Sequence, residues 1–566
     1  MLLMAAAAAI LRVIIAILCS TMGNAVQTPK SFPDTDTELK VFRQLRAEFS
    51  RKAAETQDEA ALMSHMKQAY ETLTRSYANA PAYSADGSVV KVPTVRFGKT
   101  ELAMPVVSMG CMRFQQTWQP WESFALEDVE AACQANLEAI LERAFQLGIN
   151  HVETARGYGS SELQLGYALK KFDRASFILQ TKVPPKATAA EFRAALEESF
   201  AKLQVERVDL MAFHGVNLDR HLAWVLGTDG GGGDGGCLAV AREYQAAGKI
   251  GHVGFSTHAM TPLIVQAIET GEFDYVNLHY QYVGSYTASG TGPATGGNLE
   301  AVRAARARDM GVFIISGADK GGKLYKPSKA FAAACMPDAT PIAFNHLWLW
   351  AHEDPQAVHT VVVGPARPSD FDEAYASTLL YDRRKEISEK IHARLRAAAD
   401  AALGDAGWVD TWWRGLPHVY AHPLGTHVPH LVWLWTLVKA WGMYDFARDR
   451  YAAIEGNGPK WDDARTPEEN WEALGFNWVP GCGHRPGVDY APHVAASPHA
   501  DKIPGLLEEV HEWLRTENVE AQAEWRAEQG WCAAYDLQPD VPFPEKMPMP
   551  QQAALKKEKE QQCKAK

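Results

Sequence analysis

Glu153, Lys182 and His214 are acid–base side chains, and each closes or directly follows a short apolar run of the 566-residue sequence, at 149–154, 177–182 and 208–213. A carboxylate, an ammonium and an imidazole that meet at one place can hold and move protons. Tyr158 lies five positions beyond Glu153 in a glycine-bearing loop. A phenol has an ordinary pKa of about 10, too high to exchange protons readily near neutrality. A neighbouring ammonium stabilises phenolate and lowers that value. Lys182 is the candidate for the ammonium, with Glu153 holding it charged and oriented. Taken singly, each residue has a bland reading: a loop tyrosine packs, a strand-end lysine is solvated, a lone histidine sits satisfied in a core. Only their convergence is informative.

Convergence depends on the elements that carry them. Short β-branched or apolar runs at 106–109, 149–154, 177–182, 208–213, 250–256, 275–278, 312–316 and 360–363 alternate with longer amphipathic stretches. The helical stretches lie at 130–146, 161–171, 189–203, 237–247, 262–270, 299–309 and 340–350, and a last one starts near 369. Strict alternation requires a parallel sheet with helical crossovers. Eight units over some 270 residues predict an α/β fold, a closed (β/α)8 TIM barrel, with a doubly wound open sheet as the structural alternative. Active sites of such barrels lie at the carboxyl ends of the strands. Seven of those ends are polar or glycine: Glu153 and Thr154, Lys182, His214, Ser256, Asn277, Ser316 and Gly364.

At these positions the sequence resembles the aldo-keto reductases. The segment Gly148-Ile-Asn-His-Val-Glu-Thr-Ala-Arg-Gly-Tyr158-Gly-Ser-Ser-Glu162 is similar to that family's second-strand signature. Phe177-Ile-Leu-Gln-Thr-Lys182-Val, Val208-Asp-Leu-Met-Ala-Phe-His214 and Gly248-Lys-Ile-Gly-His-Val-Gly-Phe-Ser256 resemble its lysine, histidine and serine strands. The resemblance spans roughly 92–385. It implies reduction of a small-molecule aldehyde or ketone by a nicotinamide, with Glu153, Tyr158, Lys182 and His214 as the catalytic group. It also implies that Ser256 and Asn277 hold the carboxamide, that Ser316 lies under the nicotinamide, and that Lys320 and Gly321 meet the pyrophosphate. There are departures. Glu153 stands where the family has Asp, Asn277 where it has Gln, and Ser316 where it usually has an aromatic. Gly364 and Asp370 stand where Lys and Arg often hold a 2′-phosphate, and Arg367 is the nearby substitute. NADP(H) is favoured and NAD(H) is the alternative. Glu153 and Ser316 equally suit a catalytically silent NADP(H)-binding barrel that acts as a regulatory subunit.

Beyond residue 385, Ala440-Trp441-Gly-Met-Tyr-Asp-Phe-Ala-Arg-Asp-Arg-Tyr451 and Ile503-Pro-Gly-Leu-Leu-Glu-Glu-Val-His-Glu-Trp513-Leu resemble the helical extension of members with a C-terminal iron–sulfur module. Only Cys482 occupies the matching cysteine region, and a cluster needs four ligands. The expectation is an extension without iron–sulfur, which also argues against an electron-transfer role. His418, His422, His427 and His430 lie close together, but no Cys or carboxylate completes a zinc pattern, so metal is not expected; the resemblance of this segment to part of the extension's entry loop implies pocket lining. The tryptophans at 412, 413, 433, 435 and 441 suit a core.

The composition fits this picture. Acidic residues number 68 against 56 basic ones, a net charge of −12, which argues against a nucleic-acid partner. The apolar 1–18 run predicts a cleaved signal or organelle-targeting segment ending near Ala25. An uncleaved anchor, the only route to a membrane, is the alternative, and without the segment a cytoplasmic location is expected. The expected organisation is therefore targeting segment 1–25, helical lead-in 26–91, barrel 92–385, helical C-terminal domain 386–545 and polar tail 546–566. The glycine-rich 230–236 insert and the small-residue loop 285–297 follow predicted strands four and six, on the mouth side.

Overall fold

A computed structural model describes residue 84 and residues 86–116, 125–228, 235–284, 297–325, 327–336, 338–353, 355–417, 425–455, 461–466, 469–470 and 481–515. The targeting segment, most of the lead-in, the tail, the 230–234 part of the glycine insert, the 285–296 part of the next loop, His418 and His422 lie outside the described residues.

The first strands, β1 (Thr94–Arg96) and β2 (Ala103–Pro105), form an antiparallel hairpin. Eight further strands follow: β3 (Val107–Gly110), β4 (His151–Glu153), β5 (Ile178–Val183), β6 (Val208–His214), β7 (Ile250–Ser256), β8 (Tyr275–Leu278), β9 (Gly311–Ile314) and β10 (Thr360–Val363). They close into one ring in the order β10-β3-β4-β5-β6-β7-β8-β9, every pairing parallel. The expected (β/α)8 barrel is therefore the fold. In a closed ring each strand is buried on both sides. Outward residues such as Val152, Leu179, Val253, Val276 and Val312 pack under the helices.

The helices are set by ordinary signals. Ala131–Leu147 buries Leu137, Ile140, Leu141, Ala144 and Leu147 and ends at Gly148, whose φ of 83° is left-handed. Ala189–Leu203 starts at Thr188, whose hydroxyl accepts from the Glu191 amide at 3.2 Å. The sequence reading missed three short elements: the hairpin, the helix Asp219–Leu226 after β6 and the helix Lys329–Cys335 after β9. The hairpin seals the amino-terminal end of the barrel. It carries Phe97 into a small core of Met104, Leu210, Ala212, Tyr275 and Phe313, with Phe97 and Phe313 ring centres 4.5 Å apart.

Beyond the barrel, Arg384–Leu403, Val428–Trp441, Tyr444–Glu455 and Ile503–Leu514 are helical. They join the mouth. Trp433 donates through Nε1 to the Val283 carbonyl beyond β8 at 2.7 Å, and Lys323 beyond β9 pairs with Asp449. Trp412, Trp433 and Trp441 are buried, as expected of a core. His427 Nδ1 accepts from the His430 amide at 3.2 Å and caps Val428–Trp441. The Lys439 and Trp441 end of that helix carries the contact from Trp441 Nε1 to the Leu395 carbonyl, 3.0 Å.

Candidate active site

Strand parity decides what reaches the mouth. On β5, Leu179 and Thr181 point out to the helices, so Gln180 and Lys182 point into the barrel. Glu153 ends β4, and its register partner on β5 is Gln180. Lys182 and Glu153 form an ion pair in which the side chains are 2% and 3% exposed. The ammonium also donates to the Thr154 carbonyl at 3.1 Å. It sits 4.8 Å from the centre of the Tyr158 ring. His214, at the end of β6, meets the same ring edge-on, with centres 5.6 Å apart. The Tyr158 loop is pinned by two turns, in which the Tyr158 amide donates to the Ala155 carbonyl and the Ser161 amide to that of Tyr158, each at 3.0 Å. The four residues singled out in the sequence thus lie together.

Their electrostatics differ from the expectation in one respect. Desolvation pushes the Tyr158 phenol well above its ordinary value, and the Glu153 charge adds to this. The Lys182 ammonium lies over the ring and is engaged by Glu153, so it does not make Tyr158 a low-pKa phenol at rest. Burial lowers the Lys182 ammonium itself, with Glu153 opposing that shift. Burial, then the Lys182 charge, lowers His214 to about 3, so its imidazole is neutral at ordinary pH.

The residues expected to meet a dinucleotide fall into two groups. Ser256 is buried at the end of β7, where its Oγ accepts from the Gly215 amide at 3.1 Å and keeps its own proton to donate. Ser316 has φ 57° and its carbonyl accepts from the Lys320 amide at 2.9 Å, opening a tight loop. A Cβ on Gly321 would lie 2.1 Å from the Gly317 carbonyl oxygen, so that loop can fold only with glycine there. Burial, then Arg450, lowers Lys320 to about 7. Lys320, the glycine backbone and Ser256 form a donor set that fits a dinucleotide phosphate and amide.

Two expected ligands make contacts to neighbouring side chains. The Asn277 amide is fully buried and spans the barrel lumen: Oδ1 accepts from Gln180 Nε2 at 3.2 Å, and Nδ2 faces Glu153 Oε1 at 3.4 Å. Arg367 donates through Nε to Asp370 at 3.0 Å, and the same carboxylate caps the Ala366 and Arg367 amides. Arg113, which the sequence reading passed over, lies along Gly364, where a Cβ would stand 3.4 Å from its Cδ. His258 and His279 also went unremarked. They share a 2.6 Å contact at the mouth, and His279 Nδ1 donates to the Ile315 carbonyl at 3.2 Å.

Among the described residues no group of three or more His, Cys, Asp or Glu side chains is placed to hold a metal ion, and no helix is long and apolar enough to cross a membrane. Cys482 is buried, and its amide donates to the Gly425 carbonyl at 2.8 Å.

Several solved structures are similar to about half of the chain. An aldo-keto reductase from Bacillus halodurans in its holo form is 17% identical, with a TM-score of 0.40, and the match covers 53% of this chain and 96% of that one. An aldo-keto reductase from Klebsiella pneumoniae in complex with NADPH is 19% identical, with a TM-score of 0.39, covering 53% of this chain and 94% of that one. Another from Klebsiella pneumoniae, with NADP and acetate, is 20% identical, with a TM-score of 0.38, covering 51% and 90%. A comparison with curated proteins yields no match. The model of the aldo/keto reductase family matches residues 106–283, the stretch that holds strands β3 to β8 and the Glu153, Tyr158, Lys182 and His214 group, so this part of the barrel is similar to that family.

Proposed function

We propose that the protein reduces an aldehyde or ketone to an alcohol with a nicotinamide cofactor, NADP(H) in preference to NAD(H). The observation that carries this is the buried Lys182–Glu153 pair set under the Tyr158 ring, with neutral His214 against the ring edge. A bound nicotinamide supplies the hydride. The protein supplies the proton and the geometry. Tyr158 keeps its proton at neutral pH, because desolvation and Glu153 both disfavour phenolate. It releases that proton only to an oxygen on which charge is building, as reduction demands. The Lys182 ammonium over the ring then steadies the phenolate left behind. Neutral His214 can donate an N–H to the same substrate oxygen, and Glu153 keeps Lys182 charged and in place. Ser256 would orient the carboxamide. Lys320 and the loop amides would take the pyrophosphate.

The test is a fluorescence titration with NADPH and NADH, followed by carbonyl turnover in wild type and Tyr158→Phe. Nucleotide binding should survive the substitution, while turnover should fall on the order of 10² to 10⁴, the span of a general acid's contribution. Unchanged turnover in Tyr158→Phe would refute the assignment. Binding without turnover in either protein would favour the silent, regulatory barrel.

A further inference from the structure

Glu153 and Asn277 stand on opposite walls of the barrel. In the ring order β10-β3-β4-β5-β6-β7-β8-β9, β4 and β8 are four places apart, the largest separation that eight strands allow. Their side chains nevertheless meet, with Asn277 Nδ2 3.4 Å from Glu153 Oε1. A contact across the whole lumen fixes the sum of the two side-chain lengths. The orientation of the amide is fixed as well: Gln180 donates to Oδ1 at 3.2 Å, which leaves only the Nδ2 side for the carboxylate. Oε1 of Glu153 thus takes two donors, the Lys182 ammonium and the Asn277 amide. All four groups are at most 3% exposed, so no water competes for them.

We propose that Asn277 is a positioning residue for the Glu153–Lys182 pair, bracing the carboxylate from the far wall, and that residues 153 and 277 are matched in length. Asn277 then acts on the reaction through Glu153 and Lys182. Shortening Glu153 to Asp withdraws the carboxylate by a bond of about 1.5 Å, which takes a 3.4 Å contact beyond hydrogen-bond range. Lengthening Asn277 to Gln without that change overfills a closed space. Exchanging the two lengths conserves both the volume and the contact, and the flexible Lys182 stem can follow the carboxylate.

The kinetic arm of the test rests on the carbonyl-reductase reading; the stability arm does not. The full chain is prepared as wild type, Glu153→Asp, Asn277→Gln and the double variant, and each is unfolded in urea and assayed for NADPH-dependent carbonyl reduction. Each single change should lower stability, and the double variant should recover most of the loss. In turnover, each single variant should lose on the order of tenfold in kcat, with nucleotide KM moved less than about threefold, and the double should regain most of it. Losses that simply add in the stability cycle would overturn the proposal, whatever the activity. So would an Asn277→Gln variant that keeps kcat and loses nucleotide affinity, since that is how a cofactor ligand behaves. If no variant turns over, wild type included, the reductase reading fails and the stability cycle alone decides whether 153 and 277 are coupled.

Discussion

Replacing Lys182 with Met should destabilise the protein in a manner that depends on pH. Lys182 and Glu153 are 2% and 3% exposed, and among the described residues the ammonium is the one cation paired with that carboxylate. Removing it leaves a buried carboxylate with the Asn277 amide, at 3.4 Å, as its remaining side-chain donor. Breaking a buried pair from one side typically costs about 3–5 kcal/mol. The stranded group can escape that cost by taking up a proton, which an unfolded glutamate does only below about 4.3. The variant's deficit against wild type should therefore be small near pH 4.5. It should grow by about 1.4 kcal/mol per pH unit and level off at about 3–5 kcal/mol two to four units higher. Urea unfolding of both proteins at pH 5, 6.5 and 8 measures the difference directly. Adding Glu153→Gln to Lys182→Met should remove most of the pH dependence, because no charge is left to strand. A deficit of equal size at all three values would refute the reasoning, since it would mean that Lys182 contributes by packing alone.

Further predictions follow from other buried groups. Burial pushes Glu162 up to about 7, above the ordinary 4.5, so the fold favours its neutral acid and loses stability as pH rises across that interval. Glu162→Gln, which retains an acceptor for the Thr181 hydroxyl, should unfold about 2–3 kcal/mol later than wild type at pH 8 and show no gain at pH 4.5. Because burial and Arg450 lower Lys320 to about 7, its charge is lost as pH climbs past that value. NADPH affinity should accordingly weaken between pH 6 and 8.5 in a fluorescence titration, and Lys320→Met should lose both affinity and that slope. A Cβ on Gly311 would stand 2.4 Å from two ring carbons of Phe97. Gly311→Ala should therefore unseat the plug at the bottom of the barrel and cost about 1–3 kcal/mol in a thermal melt.

The barrel was legible because its signal repeats: eight apolar runs, each followed by a helix with a defined end, leave few other arrangements. Strand parity also made Glu153, Lys182 and His214 legible, since each lies at the mouth end of an inward-facing row. Asn277 shows the limit of that logic. Parity says that it points inward, but whether it meets a cofactor or the far wall depends on the width of the lumen, which no single strand encodes. The Lys182 ammonium is similar, because its position over the Tyr158 ring face is set by the turn geometry between Ala155 and Ser161. Arg367 is a different case. Asp370, three residues on, is both its ion-pair partner and a cap, a local pairing that the spacing of the two residues makes legible. The hairpin around Phe97 escaped notice because three-residue strands are too short to show a period.

The tie from Trp433 to the Val283 carbonyl joins positions 150 residues apart in the chain. A ribosome adding about 5–20 residues per second needs roughly 8–30 s to cover that interval. The strands of the ring up to β8 emerge with the loop at their mouth still lacking its tether. The last strand of the ring, β10, ends at Val363, within that interval and 70 residues before Trp433, so fastening of the mouth on the nascent chain follows closure of the barrel, and a chaperone or protease that meets the chain between the two encounters a closed barrel whose mouth is not yet fastened.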